Sequence, residues 1–538
     1  MLNAREKPDF TRVFGHLRRI FSARKYEFRL KKPCTWRLKM YRKPSPQLTI
    51  DDFILPFSGK LDPENRWVQL ANIIPWDEYE KEYAHMFPSD RGNVAKPVRM
   101  ALGTLIIQAR CGYTDRETVQ QITENPYLQW FIGLKEFQLT RPLTPVALVK
   151  FRKRFKKDRM AKINERIALA ERAAKTTEKE AEKNDDDQQG PNLPDADKEE
   201  KKTPADSDSE ESKPNQGMLI LDATCTPADI KYPTDLGLLN ESREKLDEII
   251  DTLHKAKGKA TKRPRTYREK ARKAYLSVSK QRSPRKKQLR KGIKQQLQYC
   301  KRNLRHVDQM LKEIPSGFEA LSNRQVKLLE TIRTVIEQQE TMYKTKQHQI
   351  PDRIVNLYQD HVRPIVRGKA SAKVEFGAKV AISIEKGFCR IEKLSWDAFN
   401  EAETLIDSVE RYRARTGCYP EAVLADKIYR NRKNLAYCKN HNIRLSGPKL
   451  GRPSGDALKK VEKAIERMDA KMRNAVEGKF GEGKRKYGLD RVYAKLKETA
   501  ECMISMQFFV MNLEHKLRVL FVQILKRYFQ ITDIGVFA

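Results

Sequence analysis

The sequence predicts an α/β protein: a sheet whose first strand is separated from the others by a long helical insertion, preceded by an all-helical segment. Three observations predict it. A polar stretch ends abruptly in the apolar run Met218-Leu219-Ile220-Leu221, followed by Asp222. Val374, Phe376, Ala378, Val380 and Ile382 alternate with a period of two. Beyond them, short apolar runs alternate with helical stripes.

Of 538 residues, 108 are Lys or Arg and 71 Asp or Glu, a formal net charge of +37. Such a chain attracts polyanions, and nucleic acid is the expected partner. No apolar run is long enough to span a membrane, so no membrane partner is expected. The first residues lack the apolar core of a secretory signal. The eight cysteines form no CxxC pair and there is no HExxH. Reduced thiols in a cytoplasmic protein are expected rather than a zinc site or a disulfide framework.

Residues 1–90 read as a basic, aromatic arm and extension, with Arg18, Arg19, Trp36 and Tyr41 in the arm. Residues 91–177 read as short helices. Thr114-Asp115-Arg116-Glu117 has the capping-box pattern, Asn125-Pro126 breaks a helix, and Thr144-Pro145 opens another. That last helix carries Arg152, Lys153 and Arg154, which suits a helix-turn-helix-like DNA-binding domain. Residues 178–216 form an acidic linker, with 14 acidic and 5 basic residues between 178 and 211. It is too polar to offset the entropy of ordering it.

The remainder, 217–538, reads as one α/β domain interrupted at 241–350 by a basic helical insert. From Lys255 to Arg305 there are 21 Lys or Arg against one acid, Glu269. DNA backbone along this surface is the expected partner. After the insert come the alternating strand near 374–382, a turn at Glu385-Lys386-Gly387 and a second strand from Phe388. A helix through Ala398–Val409, the strand Ala422–Ala425 before Asp426, a further helix and the short strand Ile443–Leu445 follow. Helices are expected at 458–477 and 490–530. Three early strands, then strands alternating with helices, are the order of the ribonuclease-H-like fold, although alternation alone fits other α/β folds.

Two apolar strands therefore end in aspartate, at Asp222 and Asp426. If parallel neighbours, they deliver both carboxylates to one edge of the sheet, where open α/β sheets place ligands. Two close oxygen ligands repel unless a cation neutralises them, and Mg²⁺ or Mn²⁺ suits such a site. Arg473, Glu477 and Lys484 stand four and seven residues apart, spacings that align side chains on one helix face. Gly478, Gly481 and Gly483 argue against a regular helix as far as Lys484 and suggest close approach of a backbone such as DNA.

In these residues the sequence resembles the bacterial insertion-sequence DDE transposases, in particular the branch with an R-x3-E-x6-K signature. The resemblance runs through Leu-Asp-Ala-Thr at 221–224, Leu-Ala-Asp-Lys at 424–427, and Arg473, Glu477 and Lys484. It extends to Phe376-Gly377-Ala378-Lys379, Gly447-Pro448-Lys449 and Phe151-Arg152-Lys153-Arg154. The tyrosine that related branches carry three residues before the arginine is absent; Ala470 stands there.

The resemblance implies a ribonuclease-H-like catalytic domain with two divalent ions, Mg²⁺ or Mn²⁺, held by Asp222, Asp426 and Glu477. It implies cleavage at the element's terminal inverted repeats and joining of the ends to target DNA. Arg473 and Lys484 would position phosphates; Lys427 and Lys379 are weaker candidates. A homo-oligomer, at least a dimer on DNA, and a bacterial cytoplasmic, nucleoid-associated location are implied likewise. A structure-selective, Mg-dependent DNA nuclease and a non-catalytic transposase-derived DNA-binding protein are the rival readings.

Overall fold

A computed structural model describes residues 49–56, 59–87, 94–168, 214–258, 262–314, 317–366, 374–448 and 456–529. The basic arm, most of the acidic linker and Lys449 lie outside them.

The molecule is mixed α/β. Its sheet has six strands: β1 (Met218–Pro227), β2 (Arg363–Val366), β3 (Val374–Glu385), β4 (Phe388–Ser395), β5 (Ala422–Leu424) and β6 (Arg444–Leu445). β3 is antiparallel to β1, and β4 and the short β2 share the far edge of β3. β5 lies parallel to β1 on its other side, and β6 parallel to β5. The β3–β4 hairpin turns through Lys386 and Gly387, both with positive φ, the pairing that matches strand twist. A Cβ on Gly387 would lie 2.3 Å from Nε2 of His515, so this turn also needs glycine for space.

Side chains alternate along β1 and β5. Leu219, Leu221, Val423 and Ala425 join Leu405, Val409, Tyr412, Cys438 and Ile443 in a core beneath the helices Thr404–Thr416 and Arg432–Asn440. Ile220 and Asp222, and Leu424 and Asp426, therefore face the opposite side. There the long helix Asp456–Lys486 packs on β1 and β5. Arg444 of β6 fastens it through Asp469, Nη1 to Oδ2 at 2.5 Å.

That helix runs unbroken through its glycines, contrary to the sequence expectation. The reason lies partly in packing: a Cβ on Gly483 would sit 2.4 Å from Leu489 Cδ1 and 3.2 Å from Met511 Sδ. The helix keeps its hydrogen bonds, and glycine lets the following turn and the C-terminal helix Lys497–Phe529 close against it.

The N-terminal helices form as expected locally. Thr114 Oγ1 accepts from the Glu117 amide at 3.2 Å, and Asn125 Oδ1 accepts from the Tyr127 amide at 2.9 Å ahead of the helix Pro126–Phe131. Their core is not separate. Trp67, Leu102, Phe131 and Phe151 join Ile382, Phe388, Phe508 and Phe509 in one apolar cluster with the sheet and the C-terminal helix. Polar clasps span the same junction. Asn512 Nδ2 donates to Asn164 Oδ1 and to the Cys389 carbonyl, both at 2.7 Å. Arg390 Nε donates to Glu165 Oε2 at 2.7 Å.

The insert has four helices, Asp235–Lys257, Arg268–Ser279, Lys286–Glu313 and Asn323–Thr345. It starts before the expected boundary of 241 and encloses its own core, including Leu239, Leu246, Ile250, Val307, Ile332 and Val335.

Candidate active site

The last rung that β1 and β5 share is Ile220 opposite Leu424. Asp222 and Asp426 each lie two residues past it on the same face, so the two carboxylates sit side by side. Asp222 is not at a strand end, because β1 continues to Pro227 along β3. What ends there is the pairing with β5, which leaves Asp222 at a step in the sheet. Asp426 N-caps a short 3-10 turn, Lys427–Tyr429. The two acids use one local device: Asp222 Oδ1 accepts from the Ala223 amide and Asp426 Oδ1 from the Lys427 amide, both at 2.7 Å.

Their electrostatics differ. Asp426 is exposed and ion-paired with Arg473, Nη1 to Oδ1 at 3.0 Å. Asp222 is half-buried. Burial pushes its carboxyl up to about 6, the Glu401 and Asp426 carboxylates add to the shift, and the Ala223 amide and Arg473 oppose it. This donor set, oxygen-only and mutually repelling, suits a hard divalent cation that would relieve the repulsion.

Arg473 thus stands with the two aspartates. Glu477 lies one turn farther along the same helix, exposed, and Lys484 two turns beyond that, half-buried. The structure does not draw Glu477 into the pair: among the described residues no group of three Asp, Glu, His or Cys is close enough to hold a metal ion. Lys427 is exposed beside Asp426. Lys379, a weaker phosphate candidate by sequence, is ion-paired with Glu401 at 2.9 Å and only 12% exposed.

Sequence reasoning missed Glu401. It stands in a three-residue 3-10 turn, Glu401–Glu403. No apolar period runs through so short a turn, and tertiary contacts alone bring it to the aspartates.

At the N-terminal helices the structure separates three neighbours. Arg152 is turned inward, with its guanidinium bidentate on Asp115, Nη2 to Oδ2 at 2.6 Å and Nη1 to Oδ1 at 2.9 Å. It also reaches Gln108 at 2.8 Å. Burial pushes the Asp115 carboxyl up, but Arg152 and Gln108 outweigh it and hold the group below its ordinary value. Arg152 is therefore an interior ion-pair residue rather than an outer DNA contact. Arg154 is half-buried over the Phe87 ring and donates to the Tyr83 hydroxyl at 3.1 Å. Lys153 is exposed.

Two family models match the chain. Residues 56–154 match a transposase domain (DUF772), and residues 423–514 match a transposase DDE domain. The second span contains Asp426, Arg473, Glu477 and Lys484; Asp222 lies between the two. The chain is also similar to an uncharacterized protein, ORF8 in the nfe locus of Rhizobium meliloti, at 29% identity over 94 residues. That match covers 18% of this chain and 45% of the relative. No solved structure matches. Among the described residues, no helix is long and apolar enough to cross a membrane.

Proposed function

We propose that the chain is an insertion-sequence DDE transposase, as its matches to a transposase domain and a transposase DDE domain support, and that it cuts the ends of a mobile element and joins them to target DNA at a centre of Asp222, Asp426 and Glu477. The observation that carries the proposal is the in-register placement of Asp222 and Asp426 beyond the Ile220–Leu424 rung. The strand order β4-β3-β1-β5-β6, with only β3 antiparallel to its neighbours, supports a ribonuclease-H-like reading of the sheet.

The three carboxylates would hold two Mg²⁺ or Mn²⁺ ions. The chemistry so supplied is in-line phosphoryl transfer, with a water or 3′-hydroxyl activated and the leaving oxygen stabilised. The chain's own residues do the positioning. Arg473, one helical turn before Glu477, orients Asp426 and offers a planar fork to a phosphate. Lys484 and Lys427 provide point charges for the flanking backbone. Lys153, Arg154 and the insert would bind the duplex of the terminal repeats; Arg152 supports them from within. Two ends must meet, so the working form is at least a dimer on DNA, in the bacterial cytoplasm with the nucleoid.

The test uses the full chain, a duplex carrying the element end, a supercoiled target and Mg²⁺. Cleaved ends joined to the target are expected, with no cleavage in EDTA. Asp222→Asn and Glu477→Gln should each lose cleavage by at least about a thousandfold, within the scale of single catalytic groups, while still binding DNA. Variants that cut like the wild type would overturn the site. Hydrolysis without joining, across several end sequences, would favour the nuclease reading.

A further inference from the structure

The helix Lys497–Phe529 stays apolar beyond the body that it packs against. Ala500, Ile504, Phe508 and Leu513 are buried in the main core. The point of exit is fastened: Glu514 pairs with Arg110, His515 Nε2 lies 3.2 Å from the Lys386 carbonyl oxygen, and Arg518 Nη1 donates to Glu482 Oε1 at 3.4 Å. Past it, Leu520, Phe521, Ile524 and Leu525 share one helix face by their spacing. They are nevertheless exposed, Phe521 by 59% and Ile524 by 63%. Among the described residues they belong to no apolar cluster. An apolar ridge of this kind marks a contact surface.

A complementary groove adjoins the base of the ridge. Lys386 and Gly387, the turn beside His515, line one end of an apolar groove of about 640 Å³. Met218, Ile220 and Ile384 of the sheet form one wall, and Met468, Met472 and Ala475 of the helix Asp456–Lys486 the other. Val461 and Ile465 continue that helix stripe, since 461, 465, 468 and 472 are spaced four, three and four. Val461 is 58% and Met468 63% exposed. Methionine side chains adapt to an incoming surface, and a groove of this shape takes an amphipathic helix. The chain's own ridge does not fill it: none of residues 517–525 lines the groove. The helix that bears the ridge is unbroken, and it would have to kink sharply to fold back.

We propose that the occupant is a second copy of this chain, the ridge of each copy lying in the groove of the other about a two-fold axis. The Lys386-Gly387 turn adjoins both surfaces, so one two-fold operation makes both contacts at once. The size is adequate. Leu520, Phe521, Ile524 and Leu525 on the ridge, with Met218, Val461, Ile465 and Met468 at the groove, are each 37% to 63% exposed. At about 200 Å² for a whole large side chain, covering them in both copies buries roughly 1,600 Å², the size of a specific interface. The proposal deepens the reading above and rests on its need for two copies, which it supplies with a surface that requires no DNA. The helix under the groove also carries Arg473 and Glu477, so pairing clamps the element that bears them. An anionic membrane also suits a basic, apolar helix end; the groove beside the ridge favours a copy.

The experiment is sedimentation velocity of the full chain, free of DNA, over a concentration series at low and high salt, with thermal unfolding as the control for folding. A dimer is expected. It should tighten as salt rises, because each copy carries a formal charge of +37 and screening weakens their repulsion; DNA binding has the opposite dependence. Phe521→Asp on the ridge and Met468→Asp in the groove should each weaken the dimer at least about a hundredfold, since each substitution strikes two contacts. Mixing these two variants leaves one intact ridge in one intact groove, so the mixture should associate at least about tenfold more tightly than either alone. Should Met468→Asp not fold, the exposed Val461→Asp takes its place. A wild-type chain that stays monomeric at tens of micromolar overturns the proposal, and binding of that monomer to phosphatidylglycerol vesicles would assign the ridge to a membrane instead. Loss of the dimer in Phe521→Asp alone, with the groove variants unaffected, overturns the groove as its seat. If the chain joins ends to target DNA yet never pairs without DNA, this proposal fails and the catalytic reading stands. If it pairs as expected while Asp222→Asn cuts normally, the catalytic reading fails and the interface stands.

Discussion

The N-terminal helices and the insert are both helical and both rich in Lys and Arg, yet they use those residues in opposite ways. In the N-terminal helices, Arg99 donates to the Phe131 and Trp130 carbonyls, both at 3.0 Å, and Arg152 grips Asp115. These guanidiniums hold the interior together. In the insert helix Lys286–Glu313, Lys286, Lys287, Arg290, Lys291 and Lys294 are exposed, while Leu297, Cys300, Val307 and Met310 face inward. A count of positive residues therefore gives an outward field only where the helix keeps a wet face. Where the helix is enclosed, planar arginine becomes a bolt between segments.

The largest effect that would sharpen this contrast lies in DNA binding. Neutralising Lys286, Lys287, Arg290 and Lys291 to Gln should lower duplex affinity by roughly two orders of magnitude near 0.15 M salt. The slope of log affinity against log salt should flatten by up to about 3.6, at about 0.9 per phosphate contact. Fluorescence anisotropy across a salt series measures both, and an unchanged slope would remove the insert from the interface. Unfolding should move little, because Lys286, Lys287 and Lys291 are exposed and Arg290 gives up only its contacts with Tyr343, a donation to the carbonyl at 3.2 Å and a guanidinium 4.3 Å from the ring centre.

Arg152→Met tests the other half. It leaves Asp115 partly buried without its partner, so stability should fall by about 4 kcal/mol, read from denaturant unfolding. Adding Asp115→Asn should recover part of the loss. Wild-type stability in Arg152→Met would mean that the two regions differ less than the structure indicates.

A smaller effect comes from a third kind of burial. Burial first, and then the Glu401 and Asp426 carboxylates, raise the Asp222 carboxyl from 3.8 to about 6. The folded chain therefore holds that proton more tightly than the unfolded chain. The contribution to stability declines as pH rises from about 4 through about 6 and stays unfavourable above. In EDTA, Asp222→Asn should accordingly be more stable than the wild type at pH 7, by at most about 3 kcal/mol. The gap should close near pH 4; a pH-independent gap would contradict the raised carboxyl that burial and the neighbouring acids produce. Paired burial costs stability when broken, and repelling burial returns it.

The sheet was legible where one face is dry. β1, β3 and β5 announce themselves through apolar runs or alternation, and both aspartates follow from that pattern. β2 is only Arg-Pro-Ile-Val and has no period to read. The inward turn of Arg152 was invisible because its partner lies 37 residues away, and nothing local distinguishes it from Lys153. Gly483 misled in the same way: its reason is contact with Leu489 and Met511, not the helix that contains it. Glu401 needed Lys379, on a different element, before it had a place. Local patterns were readable; the long-range partners that give single polar residues their roles were not.

The fusion of residues 66–168 with the helix Lys497–Phe529 in one apolar cluster has a consequence for biosynthesis. The first of these segments leaves the ribosome long before the last. At about 5–20 residues per second the wait is tens of seconds, during which Trp67, Leu102 and Phe131 lack part of their packing. The insert suffers no such delay, since its four helices are consecutive. A message truncated after the sheet would therefore yield a chain with a finished basic surface and an unfinished body, a ready client for chaperones and proteases.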